Sequence, residues 1–410
     1  MQNSLKRMWA LLGVVAAISA IAASSAGASH KAGPTITIWT DSDRAAAVTK
    51  VANDWAATSG ATIKVVTKQF GDIRDNLGTV AAADAPDVIT AAHDWTGQLA
   101  ANGLVEPIFL SSAVKANFPS YTLNAFSYGT AVKKLYGVPA AVENIGLVVN
   151  TKLAKVPTSF SQLETEALAV KKSKHQTFGI AVQQGSGGDA YHMYPFFSGL
   201  GGYIFGTNKA GNLDPSDIGV ANPTFLKNAH LIDKWNKEGL ISSKVDGSAA
   251  QNAFLKGQSA FWITGPWNSD TLKKSGLSFK IIQVPAIAKP SVPFLGVQGF
   301  MVTKFASVHG VDAAAKDLVT SFMAGAGPQT TLAAANGRPP ANIKAKSSDP
   351  VLAQFSNASK GGVPMPNIPQ MSSVWGDLGQ AWVRSTKGAG AMTAAKSFKA
   401  AARSIAAKIG

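Results

Sequence analysis

The 410-residue chain contains no cysteine, which excludes a disulfide framework, a thiolate zinc site and a cysteine nucleophile. Lipid attachment through a cysteine after an N-terminal apolar run is excluded for the same reason. Acid is scarce as well, with 23 Asp and Glu against 38 Lys and Arg and a formal charge of +15. Such an excess suits nucleic acid or an anionic surface. The basic residues are nevertheless scattered, and the denser patches, Lys171-Lys172-Ser173-Lys174 and Lys273-Lys274, fall at helix ends or turns. No aromatic residues interleave with them as in an RNA- or DNA-binding motif, so a solvated surface is expected and nucleic acid is not an expected partner. The six histidines are dispersed with no His-x-x-x-His spacing, and neither a metal nor any other cofactor is expected.

Long apolar runs are lacking except at the start. Lys6 and Arg7 precede an uncharged, Ala-rich stretch from Met8 that closes on Ala26-Gly27-Ala28. That order predicts a cleaved signal peptide over residues 1–28 and a periplasmic or secreted product. An uncleaved anchor helix is the alternative, since the run approaches the roughly 20 residues that span a bilayer; Ser and Gly dilute it. The remaining chain of about 380 residues is long for one core and fits two domains.

From Pro34 the pattern alternates. Thr35 to Trp39 reads as a strand, Ala45 to Trp55 as a helix with Val48, Val51 and Trp55 on one face, and Ile63 to Val66 as a strand. A helical stretch around Ile73 to Ala83 leads to a strand over Asp87 to Ala91. This is the signature of an α/β fold with largely parallel sheets, whose ligands bind beyond the carboxyl ends of the strands. Asp41, Asp43 and Arg44 follow the first strand; His93, Asp94 and Trp95 follow the third. One of the two first aspartates is expected simply to cap the following helix.

Leu135 to Lys152 organises the middle of the chain. Leu135-Tyr136-Gly137-Val138-Pro139 ends at a proline, which suits a sheet edge or exit. Ile145 to Val149 reads as a fully buried strand, so Glu143-Asn144 falls between two strand-like halves. Beyond it, Ser161 and Glu164 read as a capping box, and Phe225 to Gly239 as one amphipathic helix. Gly185-Ser186-Gly187-Gly188 lacks the lysine and hydroxyl of a phosphate cradle and reads as support for Asp189 and Tyr191. Thr264-Gly265-Pro266-Trp267 places Trp267 after a strand. Pro285 to Pro293 reads as a linker, and Pro364 to Met371 as a stiff loop delivering Trp375 to a helix.

Four segments carry a resemblance: Ala85-Pro86-Asp87-Val88-Ile89-Thr90-Ala91-Ala92-His93-Asp94, Val138-Pro139-Ala140-Ala141-Val142-Glu143, Gly265-Pro266-Trp267 and Met365-Pro366-Asn367-Ile368-Pro369-Gln370-Met371. Through them the chain resembles the maltose/maltodextrin-binding proteins that serve ABC sugar importers. The resemblance implies a two-lobed, type II periplasmic-binding-protein fold with several hinge crossovers, no catalysis, and partners consisting of a malto-oligosaccharide and the importer's permease subunits, the receptor being a monomer. The implied lobes are 33–141 with 296–345 and 142–293 with 350–410. The implied ligand residues are Asp43, Arg44, Asp94 and Glu143 for sugar hydroxyls, Asp189 and Tyr191 beside them, Trp267 and Trp375 for pyranose faces, and Met365 as lining. Ala91 and Trp95 stand where the family has tryptophan and arginine, and Gly376 where it has tyrosine, which removes some stacking and hydrogen bonding. Trp95 is retained as a ligand candidate through its position.

The chemistry agrees, because sugars present hydroxyls and flat C–H patches that carboxylates, an Arg and tryptophans complement. Four carboxylates could instead include the pair a glycosidase needs, and a trehalose receptor or a metal or polyamine receptor are further alternatives.

Overall fold

The computed structural model describes residues 33–129 and 132–410; the expected signal peptide, 1–28, lies outside the described residues. In chain order, Thr35–Thr40 (β1) is followed by Ser42–Ser59 (α1), Thr62–Thr67 (β2), Phe70–Leu77 (α2), Val88–Ala92 (β3) and Thr96–Ala101 (α3). Next come Gly137–Glu143 (β4), Gly146–Asn150 (β5), Phe160–Ser173 (α4), Ile180–Val182 (β6), Ala190–Gly199 (α5), Pro223–Asn228 (α6) and His230–Glu238 (α7). Phe261–Thr264 (β7), Phe279–Ile282 (β8), Phe294–Val302 (β9), Ala326–Asn336 (α8), Pro350–Asn357 (α9), Val363–Pro364 (β10), Trp375–Thr386 (α10) and Ala394–Ile409 (α11) complete the frame.

Two sheets carry these elements. The first runs β2-β1-β3-β9, with β4 and β10 also on β9; the second runs β8-β5-β7-β6. Both are covered on both faces, as the alternation of buried neighbours requires: Ile38 packs with Val48 and Val51 of α1, whereas Trp39 packs with Ile73 and Leu77 of α2. In the second sheet Leu147 and Val149 face one cluster and Val148 the other. The strands therefore read as continuous apolar runs.

Parallel pairing occurs at β1–β2, β1–β3, β6–β7 and the short β9–β10. The second sheet is more mixed than expected, since β5 pairs antiparallel with both β7 and β8. Direction explains it. β4 leads out of the first sheet and β9 returns to it, so the two must lie antiparallel, and the same holds for β5 entering and β8 leaving the second.

Three local expectations are corrected. The cap of α4 is Ser159, which accepts from the Gln162 N–H, while Gln162 Oε1 accepts from the Thr158 N–H; the capping box sits two residues early. The Phe225–Gly239 helix is two, α6 and α7, because Ala229 interrupts the ladder. Pro139 does not end its strand: β4 continues to Glu143, and its register with β9 shifts between Gln298 and Gly299, beside the proline. An edge strand with a bulge tolerates the missing N–H.

His93 ties β3 to the later chain. It is fully buried; its Nδ1 accepts from the Val297 N–H at 3.1 Å, so Nε2 carries the proton and donates to the Met365 carbonyl at 3.0 Å. Burial lowers its pKa to about 4. An unfolded histidine titrates near 6.5, so the folded state binds fewer protons in between and stability falls as pH falls through that window. The loss from this group between pH 6.5 and 5 is on the order of 1–2 kcal/mol. Thermal unfolding of His93→Gln, which cannot titrate, is expected to show a correspondingly shallower acid slope than the parent; equal slopes would contradict it.

Candidate functional site

A cavity of about 520 Å³ opens at the carboxyl ends of β1, β3 and β4. Asp43, Arg44, Asp94, Trp95 and Glu143 line it from the first sheet, and Tyr191, Trp267, Met365 and Trp375 from later segments. Nine of the ten sequence-selected residues thus converge on one space, although they are drawn from positions as far apart as 43 and 375.

Asp189 is the exception. It caps α5, accepting from the His192 N–H (2.9 Å), His192 Nδ1 (2.9 Å) and Gln183 Nε2 (2.6 Å). Burial opposes its ionisation, but His192 and these donors hold its carboxyl below the usual range. Gln183 and His192 line the cavity in its place. Asp189 is therefore placed beside the cavity lining, as a carboxylate that orients Gln183 and His192.

A chain of polar contacts runs along the cavity floor. Asp41 pairs with Arg44 Nε at 2.7 Å; Arg44 donates to Gln298 Oε1 at 2.9 Å; Gln298 donates to Glu143 Oε1 at 2.8 Å; Arg338 Nε donates to Glu143 Oε2 at 2.6 Å. Glu143 ends β4, Gln298 lies on β9, and Arg338 follows α8. Burial opposes ionisation of Glu143, yet Arg338 beside it keeps its carboxyl below the ordinary range. Both oxygens of Glu143 are engaged, each retaining a lone pair for a further donor.

Asp94 behaves differently. Trp375 Nε1 donates to its Oδ2 at 3.0 Å, but burial dominates and raises its pKa to about 6. Ionised Asp94 is the form that accepts from a hydroxyl, so hydroxyl donors bound here lower its pKa and release protons. Affinity for a polyhydroxyl ligand is expected to rise several-fold from pH 5 to 7, with proton release at pH 6 measured by calorimetry in two buffers of different ionisation enthalpy. Asp94→Asn should abolish the release; release of the same size in that variant would contradict the assignment.

Aromatic surfaces complete the walls. Phe70 lies 4.5 Å from Trp95 between centroids, and Arg44 sits 4.5 Å over the Phe70 ring. Trp267 has Arg338 at 5.6 Å from its centroid and His192 edge-on at 5.6 Å. The Tyr191 hydroxyl is buried without a hydrogen-bond partner among the described residues, which leaves a polar group for a ligand to satisfy. Met365 is held in place because Asn367, two residues on, donates to the carbonyls of Asn124, Ala125 and Ser127.

Several lining residues escaped sequence reasoning: Gln69, Phe70, Arg74, Gln183, His192, Gln298 and Arg338. Arg338 sits in the Asn336-Gly337-Arg338-Pro339-Pro340 break, where a lone arginine between turn-formers was the available signal. Gln298 had none, being one polar residue in an apolar strand. Among the described residues no His/Cys/Asp/Glu group suited to a metal ion occurs, and no helix is long and apolar enough to cross a membrane.

The family model for bacterial extracellular solute-binding proteins matches residues 44–357. The chain belongs to this family. Among curated solute-binding relatives, the galactooligosaccharide-binding protein of Bacillus subtilis is 28% identical over 368 residues, covering 86% of this chain and 84% of its own. A maltooligosaccharide ABC transporter solute-binding lipoprotein of Streptococcus pneumoniae is 26% identical over 363 residues, covering 83% and 81%. The structure of the Thermus thermophilus maltotriose binding protein bound with maltotriose superposes with a TM-score of 0.79 at 28% identity, covering 92% of this chain and all of that one. Solute-binding proteins of this family bind ligands rather than transform them.

Proposed function

We propose that the protein is a periplasmic or secreted receptor that captures malto-oligosaccharides between two lobes and delivers them to an ABC importer. The observation that carries this reading is the single cavity lined by Asp94, Glu143 and Arg44 from the first sheet and by Trp267 and Trp375 from beyond it. The lobes we assign are 33–143 with 294–345 and 144–293 with 346–410. They differ from the sequence expectation because β4 runs unbroken to Glu143 and β9 begins at Phe294. A sugar touches both lobes only when they are closed, so binding shifts the population towards closure. The importer's permease is the partner and the receptor works as a monomer.

Calorimetric titration with maltotriose, maltose, trehalose, β-1,4-galactobiose and spermidine tests the reading. Saturable heat with maltotriose is expected, and heat with spermidine alone would sink it. A galacto-oligosaccharide is the second reading, favoured by the Bacillus subtilis relative, and the same titration separates the two. Incubated maltotetraose is expected to release no reducing ends, because solute-binding proteins of this family bind ligands rather than transform them; release would favour an enzyme.

A further inference from the structure

The positive charge is segregated. Residues 33–143 and 294–345 contain 12 Lys and Arg against 12 Asp and Glu, a net of zero, whereas residues 144–293 and 346–410 contain 23 against 11, or 23 − 11 = +12. Most of the excess thus belongs to one half of the folded unit.

Part of it lies in a row on α11. This helix has no acidic residue, and Lys396, Lys399 and Arg403 form one exposed stripe on it. Their i, i+3, i+7 spacing sets them opposite Ser397, Phe398, Ala401 and Ile405, which are buried. The ion pair recorded from α11 among the described residues is Lys408 with Asp377, off the stripe. The preceding turn extends the surface: Gly388 donates to Asn236 Oδ1 at 2.8 Å and accepts from its Nδ2 at 3.3 Å. That contact brings exposed Lys387 and Lys237 to the same end of the helix.

We propose that this stripe is a docking surface for anionic lipid headgroups, which holds the protein against a membrane by its second half and leaves the neutral half outward. Charge complementarity supports the choice, since a row of ammonium and guanidinium groups without carboxylate partners is attracted to a negative surface over a Debye length. The occupant follows from two observations. The Streptococcus pneumoniae relative is by its description a lipoprotein, while these 410 residues contain no cysteine to bear a thioether-linked lipid. A protein serving a membrane-embedded importer gains local concentration from any such retention.

The test is co-sedimentation of the folded unit, residues 33–410, so that the apolar leader does not itself bind lipid. Vesicles of phosphatidylcholine with 30% phosphatidylglycerol are compared with phosphatidylcholine alone at 50 and 150 mM salt. Binding is expected only to the anionic vesicles, weakening with salt. The triple variant Lys396→Gln/Lys399→Gln/Arg403→Gln should lower partitioning about tenfold. Lys64→Gln/Lys115→Gln/Lys134→Gln, which removes the same charge from the neutral half, should change it less than about twofold. Both variants should keep the parent's circular dichroism and maltotriose affinity. Equal losses in the two triples would show that net charge alone is read; binding to soluble polyphosphate without binding to anionic vesicles, or no lipid dependence, would also overturn the proposal.

Discussion

Replacing Glu143 by alanine is expected to destabilise the fold by about 3–5 kcal/mol, the range for removing one partner of a buried ion pair. The magnitude follows from what is left behind. Arg338 is buried and its Nε donates to Glu143 at 2.6 Å, so the variant takes a carboxylate partner from a buried guanidinium, and Gln298 loses its acceptor as well. Chemical denaturation measures the loss. The double variant Glu143→Ala/Arg338→Met should recover much of it, because the buried cation leaves together with its carboxylate partner. A double variant no more stable than Glu143→Ala would locate the loss elsewhere than in the ion pair.

Trp375→Ala should weaken maltotriose binding by at least about 2 kcal/mol, roughly thirtyfold in Kd, the scale of a central aromatic contact. Two losses combine. The indole lines the cavity, where the proposed function sets its face against a pyranose ring, and its N–H donates to Asp94 at 3.0 Å, which favours the ionised carboxylate. Its seat against Phe294, edge-on at 5.8 Å, holds it at the start of α10. Trp375→Phe separates the parts: it keeps a stacking face and drops the N–H, so its affinity should fall between the parent and the alanine variant. Calorimetry showing Trp375→Ala within twofold of the parent would remove this tryptophan from the binding surface.

Local signals were legible in proportion to how local their cause is. The β1–α1–β2 run was readable because β-branched strands and a 3.6-residue apolar stripe are each set within a few residues. Pro364 to Met371 was readable for the same reason, through its three prolines. The Gln298–Glu143–Arg338 contacts span 155 and 195 residues, and no periodicity in any segment encodes such a meeting. Asp189 shows the converse case: an acidic residue at a suggestive position whose carboxylate already accepts from His192 of its own helix and from Gln183. The α4 cap was missed because Ser159 and Ser161 offer the same chemistry two residues apart, and only backbone conformation decides between them.

The position of β9 has a kinetic meaning. It lies between β3 and β4 in the first sheet, so the edge of Val88–Ala92 has no partner until Phe294–Val302 is present, some two hundred residues later in the chain. A polypeptide emerging from its N terminus therefore holds β1, β2 and β3 with the β3 edge still lacking its native partner while the whole second sheet is being completed. Contacts of such long separation form slowly. Completion of the first sheet waits for the second crossover, which makes the Phe294–Val302 segment the piece whose arrival commits the first half to its native form.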